Sequence, residues 1–216
     1  MGEWITTPWS DSNKSPYIRK TFNAKDVKKA RLYTTGLGLY HLEVNGQKVG
    51  NDYLAPGCTS VERLVQIYTY DITDMLTSGS NVIGVMMGNG WSKGRFGASS
   101  RYHRNQTPFI DRYLLKAELR LTFNDGSEKV IATDESWKCA PAPVVADSIY
   151  DGEVYDERKS IEGWSSVACS DSKWDQVKTV DVIYCSDHEE QGNMICCGER
   201  VELAEKSSNG ESIKIG

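Results

Sequence analysis

No apolar run in the sequence approaches the roughly 20 residues that a membrane-spanning helix requires, so a helical membrane span is excluded. Basic clusters are missing too. Nothing exceeds a short pair such as Lys28-Lys29, and the net charge is −5, which excludes the electrostatic footprint of a nucleic-acid binder. The opening residues, Met1-Gly2-Glu3-Trp4, lack a positively charged stretch followed by an apolar one; no secretory leader is visible, and a cytoplasmic location is the expectation. There is no C-x-x-C. The six cysteines (Cys58, Cys139, Cys169, Cys185, Cys196 and Cys197) are scattered, with a single adjacent pair, which argues against both a zinc site and a small disulfide framework. They are expected to be reduced.

Catalytic motifs are also absent. There is no G-x-S-x-G, H-E-x-x-H or phosphate-binding loop, and His41, His103 and His188 stand far apart. A glycosidase needs two carboxylates facing each other across the bond it breaks. The 30 acidic residues offer many pairs, but their spacing singles none out, so no catalytic residue is assigned.

What the chain does have is the makings of strands. Tryptophan (6) and tyrosine (11) outnumber phenylalanine (4), and 39% of residues are hydrophobic, which is enough for a self-supporting core in 216 residues. Residues 30–44 alternate apolar and polar and run into Asn45-Gly46, whose type I′ turn needs positive φ at both central positions. Strands follow at 64–70 and 81–87. Residues 112–123 alternate cleanly, turn at Asn124-Asp125-Gly126 and return through 128–133, with Ser136-Trp137-Lys138 expected to continue the meander; 177–184 is the last clear strand. Helix is limited to a single turn over 71–76, capped by Asp71 and stopped by Gly79, and a similar short piece near 164–174. The pattern predicts an all-β antiparallel sandwich. Residues 1–190 read as one domain, and 191–216 as the start of a following β domain.

Two stretches invite chemistry. In 88–97, four glycines frame Trp91 and Arg95. Glycine permits unusual backbone angles, so the loop could present an indole face to a sugar ring while Asn89 or Arg95 bonds its hydroxyls. The plain alternative is an irregular connection with its Trp folded inward. In 147–158, five acids stand near a single Arg158. Oxygen-rich segments suit calcium, although the spacing is not that of an EF-hand, and a solvated acidic loop explains the composition equally well.

Taken together, these stretches resemble bacterial α-L-rhamnosidases. Arg31–Gly38 with Val44–Gly50 is similar to that family's opening hairpin, and Leu54-Ala55-Pro56-Gly57-Cys58-Thr59 to its L-x-P-G-x-T step. Gln66–Thr73 and Asn81–Val85 match a pattern shared by jelly-roll sugar-binding domains of glycosidases. Gly88-Asn89-Gly90-Trp91 and Ile149–Arg158 are the more specific pieces, and Gly163-Trp164 closes the likeness. The resemblance implies a galactose-binding-like jelly roll that carries no catalytic acids. Those would belong to an (α/α)-barrel elsewhere in a parent enzyme that hydrolyses terminal α-L-rhamnose with inversion. The domain's partners would be L-rhamnose or a rhamnose-containing glycoside and that catalytic domain. The resemblance also implies a calcium-assisted site, with Asp151 and Glu153 at the ion and sugar, and Asn89, Trp91 and Arg95 on the same rim. A role confined to packing on the barrel is the alternative. Ser92 departs from the family, which often has Tyr there.

Overall fold

The computed structural model describes residues 2–10, 14–59, 61, 65–94, 111–181, 203–207 and 212–215. Two sheets face each other. One runs β14 (Lys178–Val180), β1 (Trp4–Thr6), β8 (Leu114–Phe123), β3 (Val27–Leu37), β6 (Gln66–Asp71), β15 (Leu203–Ser207) and β16 (Ser212–Ile215), with β9 (Glu128–Ala132) also on β8. The other runs β13 (Asp175–Gln176), β10 (Lys138–Pro141), β2 (Pro16–Ala24), β7 (Gly79–Gly88), β4 (Leu39–Val44) and β5 (Gln47–Lys48). Among the described strands every pairing is antiparallel except that of β15 with β6. The boundary expected near residue 190 lies outside the described residues, as do Cys185, Cys196 and Cys197; Cys58, Cys139 and Cys169 are free thiols.

Alternation explains the core. On β8, Leu115, Ala117, Leu119 and Leu121 point inward while Lys116, Glu118 and Arg120 point out; Leu32 on the neighbouring β3 and Ile18, Phe22, Leu42, Ile83 and Val85 on the opposite sheet join them in the core. Each fully buried large aliphatic contributes about 1.5–3 kcal/mol. The Asn45-Gly46 turn forms as expected, with φ of 52° and 80°. Asn45 does more than turn the chain: its Nδ2 donates to Asn81 Oδ1 at 2.8 Å, and its Oδ1 accepts from Val82 N at 2.9 Å.

Two expectations are corrected. After β9 the chain does not continue the meander; β10 crosses to the opposite sheet and pairs with β2, because Trp137 is buried between the sheets with its indole N–H on Ala132 O. Residues 164–174 form turns rather than helix, since their side chains are spent on packing against β2 and β7. The short helix over 71–76 is a 3-10 turn, Thr73–Met75, and Asp71 Oδ1 accepts from Thr73 N at 3.0 Å.

Candidate functional site

The end of β7, the start of β8, the 50–59 loop and a separate hairpin of β11 (Val144–Ser148) and β12 (Gly152–Tyr155) meet at one rim of the sandwich. At its centre is the turn that leaves β7. Gly90 has φ of 55°, and a Cβ there would lie 2.3 Å from Leu39 Cγ, so glycine is required twice over.

Asp147 holds that turn from the hairpin side. Its Oδ2 accepts from Asn89 N at 2.6 Å, and Gly90 N bonds it as well. Burial pushes the Asp147 carboxyl above the usual aspartate range, against these two amides and the Lys93 ammonium, which favour its charged form. Asn89 is saturated on its oxygen: Oδ1 accepts from Lys93 Nζ at 3.0 Å and Tyr113 OH at 2.9 Å, while Nδ2 donates to Asp147 O at 3.0 Å. Lys93 is only 4% exposed and its Nζ lies 4.5 Å from the Tyr113 ring centroid.

The opposite side is held through Trp91, whose Nε1 donates to Pro56 O at 2.9 Å while the ring stays half-buried. The 50–59 loop is itself pinned. Tyr40 N donates to Ala55 O at 2.7 Å, Gly57 N to Tyr68 OH at 3.1 Å, and Tyr70 OH to Asp52 Oδ2 at 3.3 Å. Burial raises the Tyr40 and Tyr70 phenols far above their ordinary value, so they stay neutral donors. At the loop tip Tyr53 is 86% exposed under Lys48 Nζ, 3.5 Å from its ring centroid, and the neighbouring Leu54 is held at a φ of 55° that costs a branched residue about 1 kcal/mol or more.

The sequence-predicted residues therefore divide. Asn89 and Trp91 sit together at the rim, Asn89 as its internal organiser and Trp91 as its tethered aromatic. Asp151 lies in the turn of the hairpin and Glu153 opposite Asp147, both exposed. Arg95 lies outside the described residues. Among the described residues no group of three or more His, Cys, Asp or Glu is arranged to hold a metal ion. Calcium takes roughly six to eight oxygens, so Asp151 and Glu153 by themselves do not make its site. Sequence reasoning assigned no role to Asp147, Lys93 or Tyr113. No local spacing could have paired Asn89 with Asp147, which lies 58 positions away.

The fold and rim define an antiparallel jelly-roll domain with a loop-built, aromatic and acidic edge. Residues 25–194 match the model of the α-L-rhamnosidase N-terminal domain, and the chain belongs to that family. It is 35% identical over 173 residues to an α-L-rhamnosidase of Formosa agariphila, covering 79% of this chain and 18% of the relative. Among solved structures it is similar to the α-L-rhamnosidase of Aspergillus terreus (35% identity, TM-score 0.76, 83% of this chain and 21% of that one). It is also similar to the Streptomyces avermitilis enzyme complexed with L-rhamnose (34% identity, TM-score 0.71, 79% and 16%). The chain spans no more than a fifth of the length of these curated relatives.

Proposed function

We propose that this domain is a non-catalytic module that binds or positions a rhamnose-bearing carbohydrate for an α-L-rhamnosidase, the parent enzyme cleaving terminal α-L-rhamnose. The observation that carries the reading is the double tether of the Trp91 turn, to Asp147 on one side and Pro56 on the other. A turn held in this way presents an aromatic face without an ordering cost on binding, which is what a weak sugar contact needs. The family membership supports the same reading, as does a relative solved with L-rhamnose. Asp151 and Glu153 are the exposed carboxylates nearest in sequence to Asp147, and in this reading they accept from sugar hydroxyls, with calcium as an optional ligand.

The test is a calorimetric titration of the chain with L-rhamnose, with calcium and with a chelator. Saturable binding that Trp91→Ala removes, while the fold is retained, supports the module. Absence of heat in both conditions would refute sugar binding and leave the family assignment intact.

A further inference from the structure

Tyr53 is the most exposed large hydrophobic side chain among the described residues, and Leu54 beside it is 55% exposed. A single exposed tyrosine would need no explanation. This one stands where the backbone is fixed on both sides. Before it, the Asp52 carboxylate accepts from Tyr70 OH at 3.3 Å; after it, Ala55 O accepts from Tyr40 N at 2.7 Å, and Ala55 and Pro56 are buried. Between these anchors Leu54 takes a φ of 55°, which a leucine avoids and a glycine would adopt freely. Such a bend persists only where its surroundings impose it, and bends of this kind gather at ligand clamps.

The Tyr53 ring is placed as well. Lys48, on β5, sets its ammonium 3.5 Å from the ring centroid, within cation–π range. The ammonium takes one face of the ring, and at 86% exposure the other face is open to solvent. A tyrosine ring has few rotamers to lose when it is covered, and it offers an apolar face with a polar edge, which suits it to a sugar ring.

The same loop runs into the rim. Trp91 Nε1 donates to Pro56 O at 2.9 Å, and Pro56 is three residues beyond Tyr53. Three residues of fully extended chain reach about 11 Å, and the bend at Leu54 shortens that. The Cα atoms of Tyr53 and Pro56 therefore lie within the length of two linked sugar rings. We infer that Tyr53 is a second sugar platform, with Lys48 behind it as a positioning residue, and that it takes the ring to which a terminal L-rhamnose is linked while Trp91 takes the rhamnose. This rests on the rhamnose binding proposed for the Trp91 rim. It makes the ligand a rhamnosyl glycoside of two or more rings, of which the monosaccharide fills only a part.

The test is a calorimetric titration of the 216-residue chain with L-rhamnose and with rutinose, in which L-rhamnose is linked to glucose. Rutinose is expected to bind about threefold to tenfold more tightly, the factor that one further aromatic contact gives. Tyr53→Ala is expected to bring the rutinose affinity down to that of L-rhamnose, and Tyr53→Phe to keep the preference. Lys48→Met should reduce the preference by less than Tyr53→Ala does, and Trp91→Ala should weaken both sugars. The Tyr53 side chain stands in solvent, so its substitution removes no core packing. Equal affinity for the two sugars in the unaltered chain would overturn the inference. So would a Tyr53→Ala variant that weakens both alike or keeps the preference for rutinose. In those cases, binding of L-rhamnose that Trp91→Ala removes would leave the proposed function standing. Absence of binding of either sugar would overturn both.

Discussion

Two Gly-Trp pairs, Gly90-Trp91 and Gly163-Trp164, look alike in the sequence, and both glycines adopt positive φ, 55° and 62°. Their surroundings differ. Trp164 belongs to a plug over the outer face of β2, β7 and β4, stacked on Tyr17 with ring centroids 4.4 Å apart. Arg19 anchors that plug from below: it is 2% exposed and donates to the carbonyls of Trp164, Cys169 and Ser166 at 3.0–3.3 Å. Its Nε lies 3.4 Å from Asp171 Oδ2 without the direction of a hydrogen bond, and the Trp174 ring centroid is 5.4 Å from its guanidinium carbon. Trp91, by contrast, donates from its indole edge to Pro56 O, in a turn that also holds the buried Lys93 and is tied to the half-buried carboxyl of Asp147. One tryptophan is spent on stability. The other is positioned and left half open, and that difference separates a packing loop from a presenting one.

The comparison can be broken most severely at Arg19. Replacing it with Met leaves three carbonyls without their donor and removes a buried cation beside Asp171, which keeps its bond from Lys138 Nζ, and is expected to cost about 3–5 kcal/mol in denaturant unfolding. Little loss would show that the plug is not held from below. Next is Gly84→Ala, whose Cβ would stand 2.6 Å from the Trp164 ring and 2.8 Å from Ser165 Cβ. It should cost about 1–3 kcal/mol, and Trp164→Ala in the same chain should relieve part of that. At the rim, Asp147→Ala frees the amides of Asn89 and Gly90. A loss of about 1–2 kcal/mol is expected, together with faster hydrogen exchange confined to residues 88–94. Exchange spreading to 160–175 would mean that the two regions are not separate.

The smallest effect is in pH. Glu43 binds the plug through Ser165 Oγ, and its carboxyl is held below the usual 4.5, chiefly by the hydrogen bond from His41 and then by Ser165, against burial. A depressed carboxyl stabilises above its ordinary value and loses that contribution as the pH falls through the folded one. Asp147 is raised by burial, so its contribution is complete below 3.8 and is lost as the pH rises through its folded value. Acidification below about 4.5 therefore loosens the plug and relieves the rim. Glu43→Gln should flatten the acid limb of the stability curve by about 0.5 kcal/mol after solvent screening, and Asp147→Asn should change it in the opposite sense.

Strand alternation and turn chemistry made most of the fold legible. The Asn45-Gly46 and Asn124-Asp125-Gly126 turns and the inward residues of β8 follow from period and φ requirements that any single stretch displays. The crossing after β9 was not legible, because Trp137 reads equally well as the next strand of a meander and as a wedge between sheets. The rim was half legible. Glycines and a tryptophan mark the 88–94 turn, but its partners come from 35 and 58 positions away, and only the folded chain brings Pro56 and Asp147 to it.

The central claim is that the Trp91 rim, and not the Trp164 plug, meets a carbohydrate. Mapping amide chemical shifts of the 216-residue chain during an L-rhamnose titration tests it most directly. Saturable shifts confined to residues 52–57, 88–94 and 147–153 are the expected result. Shifts centred on 160–175, or none at saturating sugar, would contradict it.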